Sequence, residues 1–164
     1  MKFTCNQLEL TRTLNIVSKA ISSRTTIPTL KGINININSG IATFTASDMD
    51  ITIENSMEVS NSEDGSIVVQ AKLFGDIVRK LPNNDIEFTC EDEKITIKCL
   101  TSEFSLVGMS SDEFPNIKNT EDDAKALTFD KGKFAEMIRK TSFAASIDQT
   151  KGVITGILLE ISND

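Results

Sequence analysis

The sequence predicts an α+β fold in which a βαβββ unit occurs twice and two helices pack on antiparallel sheets. Three observations support this prediction. Apolar residues recur at helical spacing in two segments, the segments after each helix alternate apolar with polar residues, and the order of elements restarts after residue 65. The chain has 164 residues, of which 39% are apolar and 25% charged, which is the composition of a globular protein.

Capping residues predict the start of the first helix. A short strand at residues 3–5 leads to Asn6, and Glu9 follows three positions later, a spacing that resembles a helix-capping box. Apolar residues then recur every three or four positions, at Leu10, Leu14, Val17 and Ile21. Pro28 closes the connection to the next strand.

Three strands complete the first unit. Isoleucine alternates with asparagine from residue 33 to residue 38, which predicts a half-buried strand that turns at Ser39 and Gly40. The apolar positions of 42–46 continue the hairpin, and those of 51–59 form a third strand.

The second unit follows a predicted polar turn at residues 61–65. A strand at 67–70 leads into a helix at 71–81, which Pro82 ends because its ring clashes with the preceding helical turn. We expect this helix to bury Leu73, Phe74, Ile77, Val78 and Leu81. Three more strands are predicted, at residues 86–90, 95–99 and 104–107.

The opening of the chain is repeated after a polar segment. Residues 2–40 align without a gap on residues 126–164, with identical residues at eight of 39 positions. We therefore predict a complete first domain at 1–118, a linker at 119–125, and the incomplete start of a second domain at 126–164. That start contains a strand, a helix and a strand, and its apolar face should be mobile or be covered by a neighbouring molecule.

Charge is segregated between helices and strands. The helix-and-loop stretches 7–31, 71–81 and 131–151 hold 12 of the 17 basic residues but only 4 of the 24 acidic residues, a net charge of +8. Because the whole chain has a net charge of −7, the remainder carries −15. Such a basic layer can attract a polyanion although the whole protein is acidic. The alternative is that these cations only form the solvated faces of amphipathic helices, an interpretation that covers Arg12, Lys19, Arg79, Lys80, Lys133 and Lys140.

The composition disfavours catalysis. Without histidine, neither a Ser-His-Asp nor a Cys-His arrangement can form, so we expect no catalytic residues. No phosphate-binding glycine motif occurs. The carboxylates of 48–50, 91–93 and 121–123 could in principle hold a divalent cation, but none has the EF-hand order and each lies in a predicted turn or linker, so we expect no cofactor and no metal. The three cysteines lie in apolar strand patterns and are interpreted as buried free thiols. No apolar run is long enough to cross a membrane.

Five short motifs, taken together with the duplication, resemble the bacterial sliding clamp, the beta subunit of DNA polymerase III. They are Met1-Lys2-Phe3-Thr4, Ser23-Arg24-Thr25-Thr26-Ile27-Pro28, Ala46-Ser47-Asp48-Met49-Asp50, Phe104-Ser105-Leu106 and Asp112-Glu113-Phe114-Pro115-Asn116. The resemblance implies the DNA-clamp fold. In that family three such domains form a protomer, and two protomers form a ring around duplex DNA with helices lining the hole.

The resemblance also implies a function. This chain would be a fragment of a non-catalytic processivity factor of chromosomal replication, a bacterial cytoplasmic protein associated with the nucleoid. Nucleotidyltransferase activity would belong to the polymerase III holoenzyme and not to this subunit. The implied partners of the full-length form are duplex DNA, the polymerase III catalytic subunit, the clamp loader, other clamp-motif proteins and a second protomer. The alternative is an acidic protein-interaction module of the same fold that does not contact DNA.

Site residues follow from the resemblance and from the charge pattern. The resemblance places duplex contacts at Arg24 and Gln149, although Arg24 could also be a loop arginine in water. The helix charges add Arg12, Lys19, Arg79, Lys80 and Lys140 as candidate DNA-binding residues. The resemblance also implies a subunit interface at Ile77, Phe104 and Leu106, which could otherwise fill the local core, and it places Ile154 in a partial cleft for partner peptides.

Overall fold

The computed structural model describes residues 1–21, 25–115 and 128–161, with the main chain alone at Gln149. The chain divides into two compact units, Met1–Lys118 and Asn119–Asp164.

The first unit contains two halves of similar element order. The first half comprises β1 Lys2–Asn6, α1 Gln7–Val17, β2 Gly32–Asn38, β3 Ile41–Ser47, β4 Thr52–Glu58 and β5 Ser60–Glu63. The second half comprises β6 Gly65–Gln70, α2 Ala71–Lys80, β7 Asp85–Glu91, β8 Lys94–Cys99 and β9 Ser102–Val107. Short 3₁₀ turns lie at Ser18–Ala20, Pro28–Lys31 and Ser111–Glu113.

Two antiparallel sheets interlock these halves. The five-stranded sheet has the order β5-β1-β7-β8-β9, and the four-stranded sheet has the order β4-β3-β2-β6. β1 pairs with β7, and β2 pairs with β6. The first strand of each half thus pairs with the second strand of the other half, so that neither half completes its sheets alone.

The core lies between the sheets and the helices. Four phenylalanine rings are fully buried there, and they connect β1, β3, α2 and β7. The ring of Phe88 stacks on Phe3 at 4.8 Å between centroids and meets Phe74 edge-on at 6.0 Å. The ring of Phe44 meets Phe3 edge-on at 6.4 Å. All three cysteines are buried and free, which confirms the sequence interpretation.

The predicted elements of the first unit form with small shifts at their ends. Asn6 caps α1 by accepting a hydrogen bond from the Leu8 main-chain N–H at 3.0 Å. The isoleucines of β2 point inward and its asparagines outward, and the turn at Ser39 and Gly40 has positive φ at both residues. This is the geometry that a two-residue hairpin needs.

Two predictions for the first unit are wrong. Residues 61–63 of the segment predicted as a polar turn belong to strand β5, which pairs with β1. At Val59, whose N–H bonds to the Gly40 carbonyl at 2.9 Å, the chain leaves the four-stranded sheet and joins the edge of the other. An edge strand remains exposed, so its residues can be polar. Leu73, predicted to be buried, is 46% exposed on α2.

The second unit consists of α3 Lys131–Thr141 and 3₁₀ turns at Ser142–Ala144 and Gln149–Thr155. None of its described residues is buried. The predicted strands do not form within 128–130 and 154–161: Ile154 lies in the second 3₁₀ turn, and residues 157–161 are irregular. Residues 126, 127 and 162–164 lie outside the described residues. A strand requires a ladder partner, and none of the described residues of the second unit supplies one.

Among the described residues, no helix has the length and the apolarity that crossing a membrane requires.

Candidate nucleic-acid interface

The two helices of the first unit are fixed to each other by a buried glutamine. Gln7, the first residue of α1, is 5% exposed. Its side-chain amide donates to the Val78 carbonyl at 2.8 Å, near the end of α2, and to the Thr11 hydroxyl at 3.2 Å. Its main-chain N–H donates to the Asn84 carbonyl at 3.1 Å. These bonds join the start of α1 to the end of α2 and hold the helices in one layer.

The exposed side of this helix layer is predominantly basic. Exposed cations of the layer are Arg12, Lys19, Lys72, Arg79 and Lys80. Glu9 and Asp76 are the acidic residues of α1 and α2. By contrast, the described residues at 1–6, 32–70 and 82–115, which form the strands and their turns, carry 14 acidic and 3 basic residues. The first unit therefore presents a cationic surface on its helices and an acidic surface elsewhere.

Arg79 bridges α2 and α1. Its Nη2 donates to Asp76 Oδ1 at 2.6 Å, and its Nη1 donates to Asn15 Oδ1 at 3.4 Å. The guanidinium lies over Gly75, where an added Cβ would come within 3.1 Å of Nη1. The side chains of Arg79 and Asp76 remain 45% and 47% exposed. The bridge is thus at the surface of the layer, where a phosphate can reach it.

The other candidate DNA-binding residues differ in their surroundings. Among the described residues, no carboxylate lies within 4.0 Å of Arg12, Lys19 or Lys80. Lys140, on α3 of the second unit, pairs with Glu136 at 2.7 Å. Arg24 lies outside the described residues. The main chain of Gln149 begins the 3₁₀ turn Gln149–Thr155.

Sequence reasoning did not single out two residues of this layer. Lys72 is an exposed cation on α2 that entered only the charge count. Asn15 anchors the Arg79 bridge, and only the packing of α1 against α2 reveals this contact. The sequence could have identified Lys72, because its position lies outside the strong apolar stripe of α2 and is therefore expected to be exposed.

The three candidate interface residues differ in exposure. β9 is an edge strand, and its Phe104 and Leu106 pair with Ile97 and Ile95 on the inner side of the sheet. Phe104 is 40% exposed and Leu106 is half-buried, whereas Ile77 is 9% exposed and packs in the core. Little surface of Ile77 is available to a partner.

The two halves differ at this edge. β4 packs along α1, where Thr13 Oγ1 accepts a hydrogen bond from Asn55 Nδ2 at 3.1 Å. β9 does not pack along α2 in this way, and Leu73 on α2 is also exposed. The described part of the first unit therefore leaves apolar side chains uncovered on both α2 and β9.

Ile154 lines an open, mainly apolar groove of about 640 Å³ in the second unit. The groove is bounded by Thr141, Ala144, Ala145, Val153, Gly156, Ile157 and Leu158. The Ile154 side chain is 56% exposed, and its carbonyl accepts a hydrogen bond from the Ser146 N–H at 2.9 Å. That bond fixes the turn that supports one wall of the groove.

The buried thiols Cys5 and Cys90 are not activated as nucleophiles. Burial, together with the nearby Glu9 and Asp85 carboxylates, raises the pKa of the Cys5 thiol to about 12. Burial likewise raises the pKa of Cys90. Both thiols stay protonated and are poor nucleophiles at neutral pH. Within the described ranges, no three carboxylate or thiol groups converge as a metal site would require.

Comparison with known proteins gives a consistent result. Residues 1–118 match the family model of the DNA polymerase III beta subunit, N-terminal domain. The beta sliding clamp of Halalkalibacterium halodurans is 38% identical over 172 residues, which cover 99% of this chain and 45% of that protein. The clamp of Bacillus subtilis is 37% identical, with 96% of this chain and 44% of that protein covered. The chain thus spans less than half the length of these relatives.

Solved structures agree with the fold. A DNA polymerase III beta subunit from Eubacterium rectale has a TM-score of 0.86 and 33% identity, covering 95% of this chain and 43% of that one. The Bacillus subtilis clamp has a TM-score of 0.84 and 36% identity, covering 92% and 42%. A Bartonella birtlesii clamp bound to griselimycin has a TM-score of 0.85 and 26% identity, covering 92% and 41%. The predicted α+β clamp fold is confirmed, and the chain belongs to the bacterial sliding clamp family, the beta subunits of DNA polymerase III.

Proposed function

We propose that this chain is part of a ring that encircles duplex DNA and tethers the replicative polymerase, acting as a processivity factor in the bacterial cytoplasm without catalysing a reaction itself. The observation that carries the proposal is the charge segregation. A sliding clamp needs cations on the helices that face DNA and tolerates acidic sheets outside. The first unit has this distribution, with exposed cations on α1 and α2 and 14 acidic residues outside the helices and their loops.

The mechanism is topological and needs only weak contacts. Phosphate contacts from lysine and arginine carry no sequence information, and their strength falls with salt concentration. The cations of α1 and α2 are exposed on convex helix surfaces, where they can meet a passing backbone without enclosing a base. A closed ring cannot leave circular DNA, so weak attraction allows it to move while the attached polymerase stays nearby.

We assign residues 1–118 to the first clamp domain, 119–125 to a linker, and 126–164 to the start of a second domain. The match of the family model to residues 1–118 supports the first assignment. The second unit supports the last, because α3 carries apolar side chains at the positions that α1 buries. Phe134 and Ile138 correspond to the buried Leu10 and Leu14, yet Ile138 is 42% exposed. Such a face requires cover from further structure.

Arg24 and Gln149 are proposed as the principal duplex contacts. They stand in equivalent connectors, after a helix and before the following apolar segment, one position out of phase in the repeat. An arginine fork suits phosphate oxygens, and a glutamine amide can donate to one. Arg12, Lys19, Arg79, Lys80 and Lys140 add long-range attraction at the helix surfaces.

The edge strand β9 is proposed as the subunit interface of the full-length homodimer. An edge strand with free main-chain groups is a template for pairing with another chain. The exposed ring of Phe104 and the half-buried Leu106 supply apolar surface beside it. Ile77 would support this interface from the core.

The groove at Ile154 is proposed as one part of the cleft that receives the polymerase, the clamp loader and other clamp-motif proteins. Its apolar lining suits a short peptide with hydrophobic side chains. The Bartonella birtlesii clamp bound to griselimycin supports the presence of a ligand site in this family.

The topological mechanism can be tested with a hybrid clamp in which residues 1–164 replace the matching part of the Bacillus subtilis protein. The hybrid, loaded onto nicked circular duplex, should remain bound, and cutting the circle should release it. The unaltered Bacillus subtilis clamp serves as the control for loading and for folding. A folded, dimeric hybrid that leaves circular and linear DNA equally fast would contradict the proposal. If that hybrid still bound partner proteins, the alternative of a protein-interaction module would be favoured.

A further inference from the structure

The three helices of this chain can be aligned position by position. The buried side of α1 consists of Gln7, Leu10, Thr13, Leu14 and Val17. Sixty-four residues later, the buried positions in and just after α2 are Ala71, Phe74, Ile77, Val78 and Leu81. The ungapped repeat relates α3 to α1 by 124 residues. Positions on the exposed sides of the three helices can therefore be compared one by one.

One position at the helix surface carries a cation in α1 and a carboxylate in the other two helices. It is Arg12 in α1, Asp76 in α2 and Glu136 in α3. Each of the two carboxylates pairs with a cation in the last turn of its own helix. Asp76 binds Arg79 at 2.6 Å, and Glu136 binds Lys140 at 2.7 Å.

We propose that Asp76, with Glu136 as its counterpart, weakens the hold of the helix cations on DNA and so keeps a clamp mobile. The inference rests on the proposed function, since it concerns the same cationic surface. Asp76 is a positioning residue that acts through Arg79. A phosphate must displace the Asp76 carboxylate before it can accept a hydrogen bond from Arg79 Nη2. The phosphate contact therefore contributes less free energy to binding.

The local geometry favours this exchange over a rigid bridge. Gly75 leaves room for the guanidinium against the helix, so the pair forms without bending α2. Both partners are about half exposed, and the Asn15 contact at 3.4 Å is long. A half-exposed pair of this kind is worth little by itself and can be displaced by a phosphate. Its main effect is to reduce the positive charge that DNA meets at this point.

A purely structural role makes different predictions. Carboxylate and cation three or four positions apart stabilise a helix whether or not DNA is present. In that case, removing the Asp76 carboxylate would lower helix stability. The affinity for duplex would then rise no more than it does when any other nearby carboxylate is neutralised. Glu9 is the matched control, because it is an exposed carboxylate on α1 with no cation within 4.0 Å among the described residues.

The test is a nuclear magnetic resonance titration of the 164-residue chain with a short DNA duplex at several low salt concentrations. Asp76→Asn should tighten binding about threefold, with less than half of that gain from Glu9→Gln, because only the first change replaces the charged acceptor of an arginine donor by a weaker, neutral one. The slope of log affinity against log salt should steepen by up to about 0.9 for Asp76→Asn, the value for one added phosphate contact. The salt slope is a readout that helix stability alone would not move.

The outcomes separate this inference from the proposed function. Equal effects of Asp76→Asn and Glu9→Gln, or weaker binding by Asp76→Asn, would overturn the role of Asp76 while leaving DNA contact intact. The Arg79→Gln variant should bind duplex more weakly than the unaltered chain does. If neither the unaltered chain nor any variant perturbs helix-face resonances with duplex, DNA contact fails and the role of Asp76 fails with it.

Discussion

Gly75 lies in the interior of α2, where glycine is unfavourable by roughly 0.8–1.0 kcal/mol relative to alanine. An alanine Cβ at this position would first meet the Arg79 guanidinium, with Nη1 at 3.1 Å and Nη2 at 3.3 Å. These atoms end a flexible side chain, so they can move away. Moving them breaks the Asp76 pair, a loss of roughly 0.2–0.5 kcal/mol for a surface pair at this spacing. We therefore expect Gly75→Ala to stabilise the first unit by about 0.5 kcal/mol.

The assay must suit a chain without tryptophan or tyrosine. Far-ultraviolet circular dichroism can follow urea and thermal unfolding, and the expected gain corresponds to a rise of about 2–4 °C in Tm. A double-mutant cycle with Arg79→Ala isolates the steric term, because without the guanidinium the alanine should give its full gain of roughly 0.8–1.0 kcal/mol. If Gly75→Ala destabilises by more than about 1 kcal/mol in both backgrounds, close packing of α1 on α2, and not the arginine, determines the glycine.

Four further predictions concern binding, assembly, titration and stability. In a full-length clamp, Arg24→Ala combined with Gln149→Ala should weaken duplex binding and lower its salt dependence, and unchanged binding at low salt would remove both residues from the interface. If the proposed homodimer of the full-length form closes at β9, Phe104→Asp should convert it into monomers in light scattering, with the circular dichroism spectrum preserved as the control. Because the pKa of Cys5 is raised from 9.0 to about 12 on folding, its contribution to stability is fully present below pH 9 and is lost as the pH rises towards 12; a Cys5→Ala variant should lack this alkaline component of unfolding. Main-chain amides of residues 128–161 should exchange with solvent much faster than those of the four-stranded sheet, since no described side chain there is buried, and equal protection in a monomer would contradict this.

Periodicity predicted the first unit because its sequence pattern and its burial coincide. The second helix was expected at residues 71–81 and is observed at Ala71–Lys80, since Pro82 and the apolar stripe constrain it locally. β5 was missed because an exposed edge strand needs no apolar alternation. Leu73 was misassigned because it borders the apolar stripe of α2, and the sequence does not show how wide a part of the helix surface the rest of the protein covers. The prediction of strands in the second unit failed because a strand needs neighbouring strands to pair with, and the apolar periodicity of a segment does not show whether they are present.

The candidate site was predictable in its charge but not in its contacts. The concentration of cations on the helices is visible in the sequence, and the exposure of Arg12, Lys19 and Lys80 agrees with it. The spacing of Asp76 and Arg79 also permits an ion pair. The Asn15 contact depends on how α1 crosses α2, which only the tertiary structure shows.

The pairing of β1 with β7 has a consequence for synthesis of the protein. Lys2, among the first residues made, can pair with Glu63 of β5, but its partner on β7, Thr89, is made later. β2, β3 and β4 can meanwhile pair as successive hairpins, because each follows its neighbour directly in the chain. Phe3 and the apolar stripe of α1, which β3 and β4 cover only in part, therefore stay partly exposed on the ribosome until the second half emerges. A translation pause between residues 63 and 85 would prolong this interval, and the nascent chain would then depend on chaperones for protection against aggregation.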